Sequence, residues 1–135
     1  MASATILVVE DHSLSRELVT DLLEAAGYTV LQAEDGLGLL ERVQAEQPDL
    51  ILLDLQLPDI DGLTLAHQLM AYPETRQIPI LAMSAHASPE RRAQVMAAGC
   101  VDFLTKPLDT QAVLSTVARF LGGEGGLPLK EDRCR

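Results

Sequence analysis

Five side chains spread along the 135-residue chain could act together: the pair Glu10-Asp11, then Asp54, Ser84, and Lys106 followed by Pro107. Asp54 raises the sharpest question. It closes the run Leu50-Ile51-Leu52-Leu53, whose apolar continuity is that of a strand covered on both faces, where an unpaired charge is very costly. Asp54 must therefore sit at the mouth of a sheet or have strong partners. Three carboxylates at close quarters raise one another's pKa unless a cation neutralises them. Oxygen-only ligands, too few to form a complete cage, suit Mg2+, which keeps several waters and shares its shell with phosphoryl oxygens. Lys106 can pair with a carboxylate or phosphoryl oxygen as a compact charge, and Ser84 can donate a hydrogen bond to another. On this chemistry Asp54 is an acceptor nucleophile supported by a metal and a lysine.

The elements that would bring these groups together alternate along the chain. Thr5 to Val9, Thr29 to Ala33, Leu50 to Leu53, Ile78 to Met83 and Val101 to Leu104 read as five short strands. Between them, Leu14, Leu18 and Leu22, then Leu40 and Val43, Leu65 and Leu69, and Val113, Val117 and Leu121 recur at helical spacing. Five helices fit. Ser88-Pro89 is an N-cap and first-turn pair, Asp61 before Gly62 is placed to cap the third helix, and Gly27, Gly99 and Gly122 fall where left-handed C-caps belong. Pro58-Asp59 starts a turn. Strict β/α alternation predicts a doubly wound α/β sandwich, a parallel sheet with helices on both faces and a site at the carboxyl ends of its strands. The order 2-1-3-4-5 makes strands one and three neighbours, so Glu10, Asp11 and Asp54 converge; the second strand offers only Glu34 and Asp35.

Composition narrows the setting. A mass of 14.6 kDa with 47% hydrophobic residues supports one core. The net charge of -10 repels a phosphate backbone, which argues against direct nucleic-acid binding. No apolar stretch approaches the roughly 18 residues of a membrane span, and acidic residues arrive too early for a signal peptide, so a cytoplasmic protein is expected. Cys100 and Cys134 lack metal-type spacing and read as free thiols. His12 borders the acidic pair, but Mg2+ disfavours nitrogen, which leaves it a rim position. His67 carries no functional signal.

Glu10-Asp11, Asp54 followed by LPDIDG, Ser84-Ala85 and Lys106-Pro107 together resemble the receiver domain of bacterial two-component response regulators, the CheY-like family. The resemblance runs from about Ala4 to Leu121 and implies the flavodoxin-like (βα)5 fold. It implies a receiver over residues 1–121, followed by a flexible tail at 122–135. It also implies that Asp54 takes a phosphoryl group from a phosphohistidine of a histidine kinase or phosphotransfer protein. Asp11, Asp54 and the backbone carbonyl of Gln56 would bind Mg2+, with Glu10 acting through a metal-bound water. Lys106 and Ser84 would serve the phosphoryl oxygens, Ser84 and Phe103 would form the switch, and Lys106-Pro107 would be a cis peptide. Phe103 would turn inward once the loop after Ser84 moves.

Rival readings have specific defects. An aspartyl-phosphate phosphatase of the haloacid-dehalogenase type needs an acid two residues after the nucleophile, where this chain has Gln56. A flavodoxin-like cofactor carrier needs a phosphate loop after strand one, where EDHSLS opens with two negative charges. A degenerate, phosphate-independent adaptor is at odds with a complete set of metal and phosphoryl groups. Only about fourteen residues follow the last helix, so a stand-alone receiver is expected, working by protein contact as a monomer or phosphorylation-linked homodimer. A fragment of a larger regulator or hybrid kinase is the alternative. Gln56 and His86 flank the path of an attacking water, and neither suits its activation, so a long-lived phosphoryl group is expected. Helix four, strand five and helix five, with Arg91, Arg92, Gln94 and the edge of Phe103, form the expected output face.

Overall fold

The computed structural model describes residues 4–86 and 88–121; the expected tail and the expected cap at Gly122 lie outside the described residues. Strands β1 (Thr5–Val9), β2 (Thr29–Ala33), β3 (Leu50–Asp54), β4 (Ile80–Ser84) and β5 (Asp102–Thr105) alternate with five helices. These are α1 (Ser13–Ala25), α2 (Leu39–Glu46), α3 (Gly62–Met70), α4 (Pro89–Ala97) and α5 (Thr110–Leu121). The sheet is parallel throughout, in the order β2-β1-β3-β4-β5. Alternate residues of the central strands feed two cores. Leu7, Val9, Ile51, Leu53 and Ile80 pack with α2, α3 and α4; Ile6, Val8, Leu50, Leu52 and Leu81 pack with α1 and α5. Every residue of β3 and β4 is buried, which is why these strands read as continuous apolar runs rather than alternating ones.

Local chemistry sets the helix starts. Asp61 accepts from the Leu63 amide at the head of α3, and Ser88 accepts from the Arg91 amide with Pro89 following. Gly27 and Gly99 take φ of 101° and 99° after α1 and α4. Two strand boundaries move from expectation. β4 begins at Ile80 because the Ile78 amide turns back to Thr75 and Pro79 has no amide to donate, and β5 lies one residue later than the apolar run. Helix α1 forms where the leucine spacing places it. Its Leu14 and Leu18 are 60% and 61% exposed, while Val19, Thr20 and Leu23 face the sheet. Leu14 and Leu18 look outward and Leu22 packs partly against the core, because the helix carries two apolar faces and the sheet can cover only one.

The register brings the site groups level. Val9 pairs with Leu53, so the residues that follow, Glu10 and Asp54, leave the sheet side by side at the β1/β3 switch. The chain then turns sharply at Gly62, where an added Cβ would lie 2.6 Å from the Leu55 Cα and 2.8 Å from the Asp54 carbonyl oxygen. Gly→Ala in a helix ordinarily stabilises by about 0.5–1 kcal/mol. Here the clash is with backbone, so Gly62→Ala is expected to destabilise by about 1–3 kcal/mol in urea unfolding. A gain in stability would show that this approach is not tight.

Candidate functional site

Glu10 and Asp54 are each 2% exposed at the carboxyl end of the sheet, and Asp11 stands beside them in solvent. Carboxylate oxygens of all three lie within 4.8 Å of one another. Lys106 reaches over from the end of β5, and its Nζ donates to Glu10 Oε1 at 2.8 Å and to Asp54 Oδ2 at 3.1 Å. The remaining oxygens are also used: Asp54 Oδ1 accepts from the Gln56 amide at 3.0 Å and Glu10 Oε2 from the His12 amide at 3.2 Å. Three carboxylates against one ammonium leave two negative charges, the complement of one divalent cation. The donor set fits Mg2+, being all oxygen, partly open to solvent through Asp11 and too small for a full cage.

Electrostatics follow from burial. Desolvation raises the Glu10 carboxyl above the usual carboxylate range, and its hydrogen bond with Asp54 adds to this, against the pull of Lys106 and the His12 amide. Burial disfavours the Lys106 ammonium, but Glu10 and Asp54 outweigh that and raise its pKa, so it stays charged. Burial alone pushes the Cys100 thiol up to about 11, which makes it an inert core residue.

Ser84 is fully buried, and its Oγ accepts from the His86 amide at 3.1 Å. Its backbone carbonyl accepts from the Lys106 amide at 2.8 Å, which ties the loop after β4 to the lysine. The Lys106–Pro107 peptide is cis. Phe103 is already inward, 6% exposed in the α2/α3/α4 core, with the Arg92 guanidinium over its ring at 5.5 Å. Gln56 and His86 are both exposed, on the loops leaving β3 and β4. Glu34 and Asp35 are not in the carboxylate cluster; Asp35 accepts from the Leu37 amide in its own turn.

Three contributors were not legible in the sequence. Arg16, one turn into α1, donates from Nη1 to the Glu10 carbonyl at 2.9 Å and so holds the backbone of the acidic pair. Asp59 does more than begin its own turn, since its Oδ1 accepts from the Gly36 amide and ties the loop after β3 to that after β2. His12 is the N-cap of α1, its Nδ1 accepting from Ser15. An arginine at that distance from an acidic pair is a weak signal for the first contact; the other two depend on tertiary approach.

Comparison with known proteins meets this geometry from another side. The response regulator receiver domain family matches residues 6–118. The polar-differentiation response regulator DivK of Brucella anthropi is 34% identical over 118 residues, covering 87% of this chain and 96% of that protein. The chemotaxis protein CheY4 of Vibrio cholerae superposes with a TM-score of 0.83 at 31% identity, over 89% of this chain and all of that one. The receiver domain of the sensor histidine kinase PA1611 of Pseudomonas aeruginosa, solved with a magnesium ion coordinated in its active-site cleft, gives 0.82 at 30% identity over 90% of this chain and 100% of that one. Receiver domains bind Mg2+ at an acidic site, and the Glu10, Asp11 and Asp54 cluster is of that kind. A parallel sheet ending in buried acids bridged by a lysine, and a family match along nearly its whole described length, place the chain among the response regulator receiver domains, the phosphorylation-based signalling modules of two-component systems.

Proposed function

We propose that Asp54 is the phosphoacceptor of this receiver, taking its phosphoryl group from a phosphohistidine on a histidine kinase or phosphotransfer protein in the cytoplasm. Receiver domains work with such donors and with downstream targets. The observation that carries the assignment is Asp54 itself: a buried strand-end carboxylate whose Oδ2 is held by Lys106 and whose Oδ1 is held by the Gln56 amide. Both bonds fix the carboxylate in one orientation, which is what in-line transfer requires of a nucleophile. Asp11, Asp54 and the Gln56 carbonyl would hold Mg2+, with Glu10 behind a bound water; when bound, the ion neutralises charge on the phosphoryl oxygens.

The chain's own residues do the rest. Lys106 stays cationic and pairs with a phosphoryl oxygen once Glu10 and Asp54 are otherwise neutralised. Ser84 keeps its hydroxyl proton free to donate, because in the structure its oxygen accepts from His86. Turning that proton toward a phosphoryl oxygen draws the loop bearing His86 inward, next to Phe103 and Arg92, so α4, β5 and α5 change first. Since Phe103 is already inward, the change lies in the loop and in the arginine covering the ring rather than in a large ring rotation. The donor has a docking surface at hand: Leu18, Leu22, Pro107 and Leu108 line a groove of about 550 Å³ that borders Lys106, and Leu14 stands exposed on the same helix. Gln56 and His86 set the phosphoryl lifetime, which lasts minutes or longer because neither activates water well.

With acetyl phosphate and Mg2+, mass spectrometry is expected to find one acid-labile phosphoryl group per chain, absent in Asp54→Asn. Persistent labelling of that variant would remove Asp54 from the role. Lys106→Ala is expected to slow labelling by about a hundredfold, the usual cost of one preorganised charge donor, while Mg2+ binds at least as tightly because a competing cation is gone. Weaker Mg2+ binding in calorimetry would mean the lysine shapes the metal site instead.

A pH dependence follows from Glu10. In the metal-free fold this carboxyl holds its proton at a pH where the unfolded chain has lost it, so stability falls as pH rises through the raised folded value. Mg2+ needs the ionised cluster and acts in the opposite direction. The rise in melting temperature caused by Mg2+ is therefore expected to shrink steadily from pH 7 to about pH 5. A rise that is independent of pH would show that the carboxylates do not hold the ion.

A further inference from the structure

The amino end of the sheet, opposite the acidic cluster, carries a groove of about 1050 Å³ that the site chemistry does not use. It passes the residues that lead into β1, β3, β4 and β5 and is bordered by the end of α5. Met70, Pro79, Val101, Phe120 and Leu121 line it and are each only half-buried, so apolar surface left uncovered by the fold is collected in one place. Its frame is fixed by hydrogen bonds. The Asp49 amide donates to the Thr5 carbonyl, and Asp49 Oδ2 accepts from the Thr5 amide, each at 2.7 Å. Gln47, at a φ of 46°, donates from its side chain to the Glu74 carbonyl at 3.0 Å. A groove held in this way loses little freedom when it is filled.

The occupant nearest to hand is the chain's own continuation. Leu121 borders the groove, and Gly122-Gly123-Glu124-Gly125-Gly126 leads from it to Leu127-Pro128-Leu129. Six residue steps reach about 20 Å, and glycine permits the reversal that a return to the groove needs. Through so short a connection the effective concentration is on the order of millimolar, so weak contacts suffice. Charge favours the same occupant. Exposed Asp49, Glu74 and Arg76 also line the groove, and none of the three has an ion pair among the described residues. Lys130, Glu131 and Asp132 follow Leu129 directly, which sets one cation and two anions beside the apolar cluster. Residues 122–135 carry three Asp or Glu against three Lys or Arg, so the segment escapes the repulsion that a second copy of charge -10 would meet.

We propose that Leu127-Pro128-Leu129 docks in the groove at the amino end of its own sheet, with Lys130 paired to Glu74 and Asp132 to Arg76. The docked segment closes this surface to other proteins. The docking is independent of the phosphoacceptor, which lies at the other end of the strands. The test puts a nitroxide on Cys134 of the whole chain and reads the relaxation enhancement of backbone amides by NMR. The label is directed to Cys134 because Cys100 is buried and its thiol is pushed up to about 11. Enhancement is expected to be strongest at Asp49, Glu74 and Arg76 and weakest at Asp54 and Lys106. In L127S/L129S the enhancement at the groove should fall about tenfold. E74K should lower it about two- to fivefold, and E74K/K130E should restore it. Enhancement centred elsewhere, or unchanged in L127S/L129S, overturns the docking, and a K130E change that fails to rescue E74K overturns the pairing. A mixture of spin-labelled chain with unlabelled, isotope-enriched chain is expected to show no enhancement. Enhancement in that mixture would assign the groove to the tail of a second copy and overturn the proposal.

Discussion

One ammonium shared between two buried carboxylates holds the functional end of this molecule together. Glu10 and Asp54 leave adjacent strands at the same level and are nearly closed to solvent, and Lys106 lies within hydrogen-bond reach of both. Lys106 supplies that ammonium from the opposite end of the chain, 96 residues from Glu10. A buried pair with one partner removed is costly, which makes the placement of β5 beyond β4 a requirement of the site and not only of the sheet. The same bridge leaves the cluster short of two positive charges, a deficit that matches one divalent cation.

Because the lysine is bound at both levels, the site cannot change quietly. Its side chain lies among the acids, and its amide is bonded to the Ser84 carbonyl, next to the hydroxyl that carries the loop after β4. Two hydrogen bonds, from the Lys106 ammonium to Asp54 and from the Lys106 amide to the Ser84 carbonyl, link Asp54 to the end of β4. The rest of the structure resists such motion: β3 and β4 are buried along their whole length, and Gly62 allows no slack behind Asp54. At the β5 edge, Arg92 and Arg119 lie over the rings of Phe103 and Phe120.

Much of this was legible before any coordinates. Apolar continuity marked the buried strands, helical spacing and caps marked the helices, and the residue types at the strand ends pointed to the acids and the lysine that the structure brings together. Strand ends moved by one or two residues where a proline or a turn amide intervened, as at Ile78 and Pro79. The leucine spacing marked α1 correctly, but periodicity reports that a helix has an apolar face, not which surface covers it. Leu14 and Leu18 belong to solvent and the groove beside Lys106, while Val19 and Leu23 belong to the core.

By itself the sequence determined the class of fold, the order of its elements and the chemical kind of site, because these depend on residue type and on short-range spacing. Tertiary structure alone decided which partner each group takes. Arg16 on the Glu10 carbonyl, Asp59 on the Gly36 amide, Phe103 already inward beneath Arg92, and Asp102 between two arginines all join groups from different elements. Hydrogen bonds and ring contacts act over a few ångströms, and only the folded sheet, which sets strands side by side and helices on its two faces, fixes distances on that scale between residues remote in the chain.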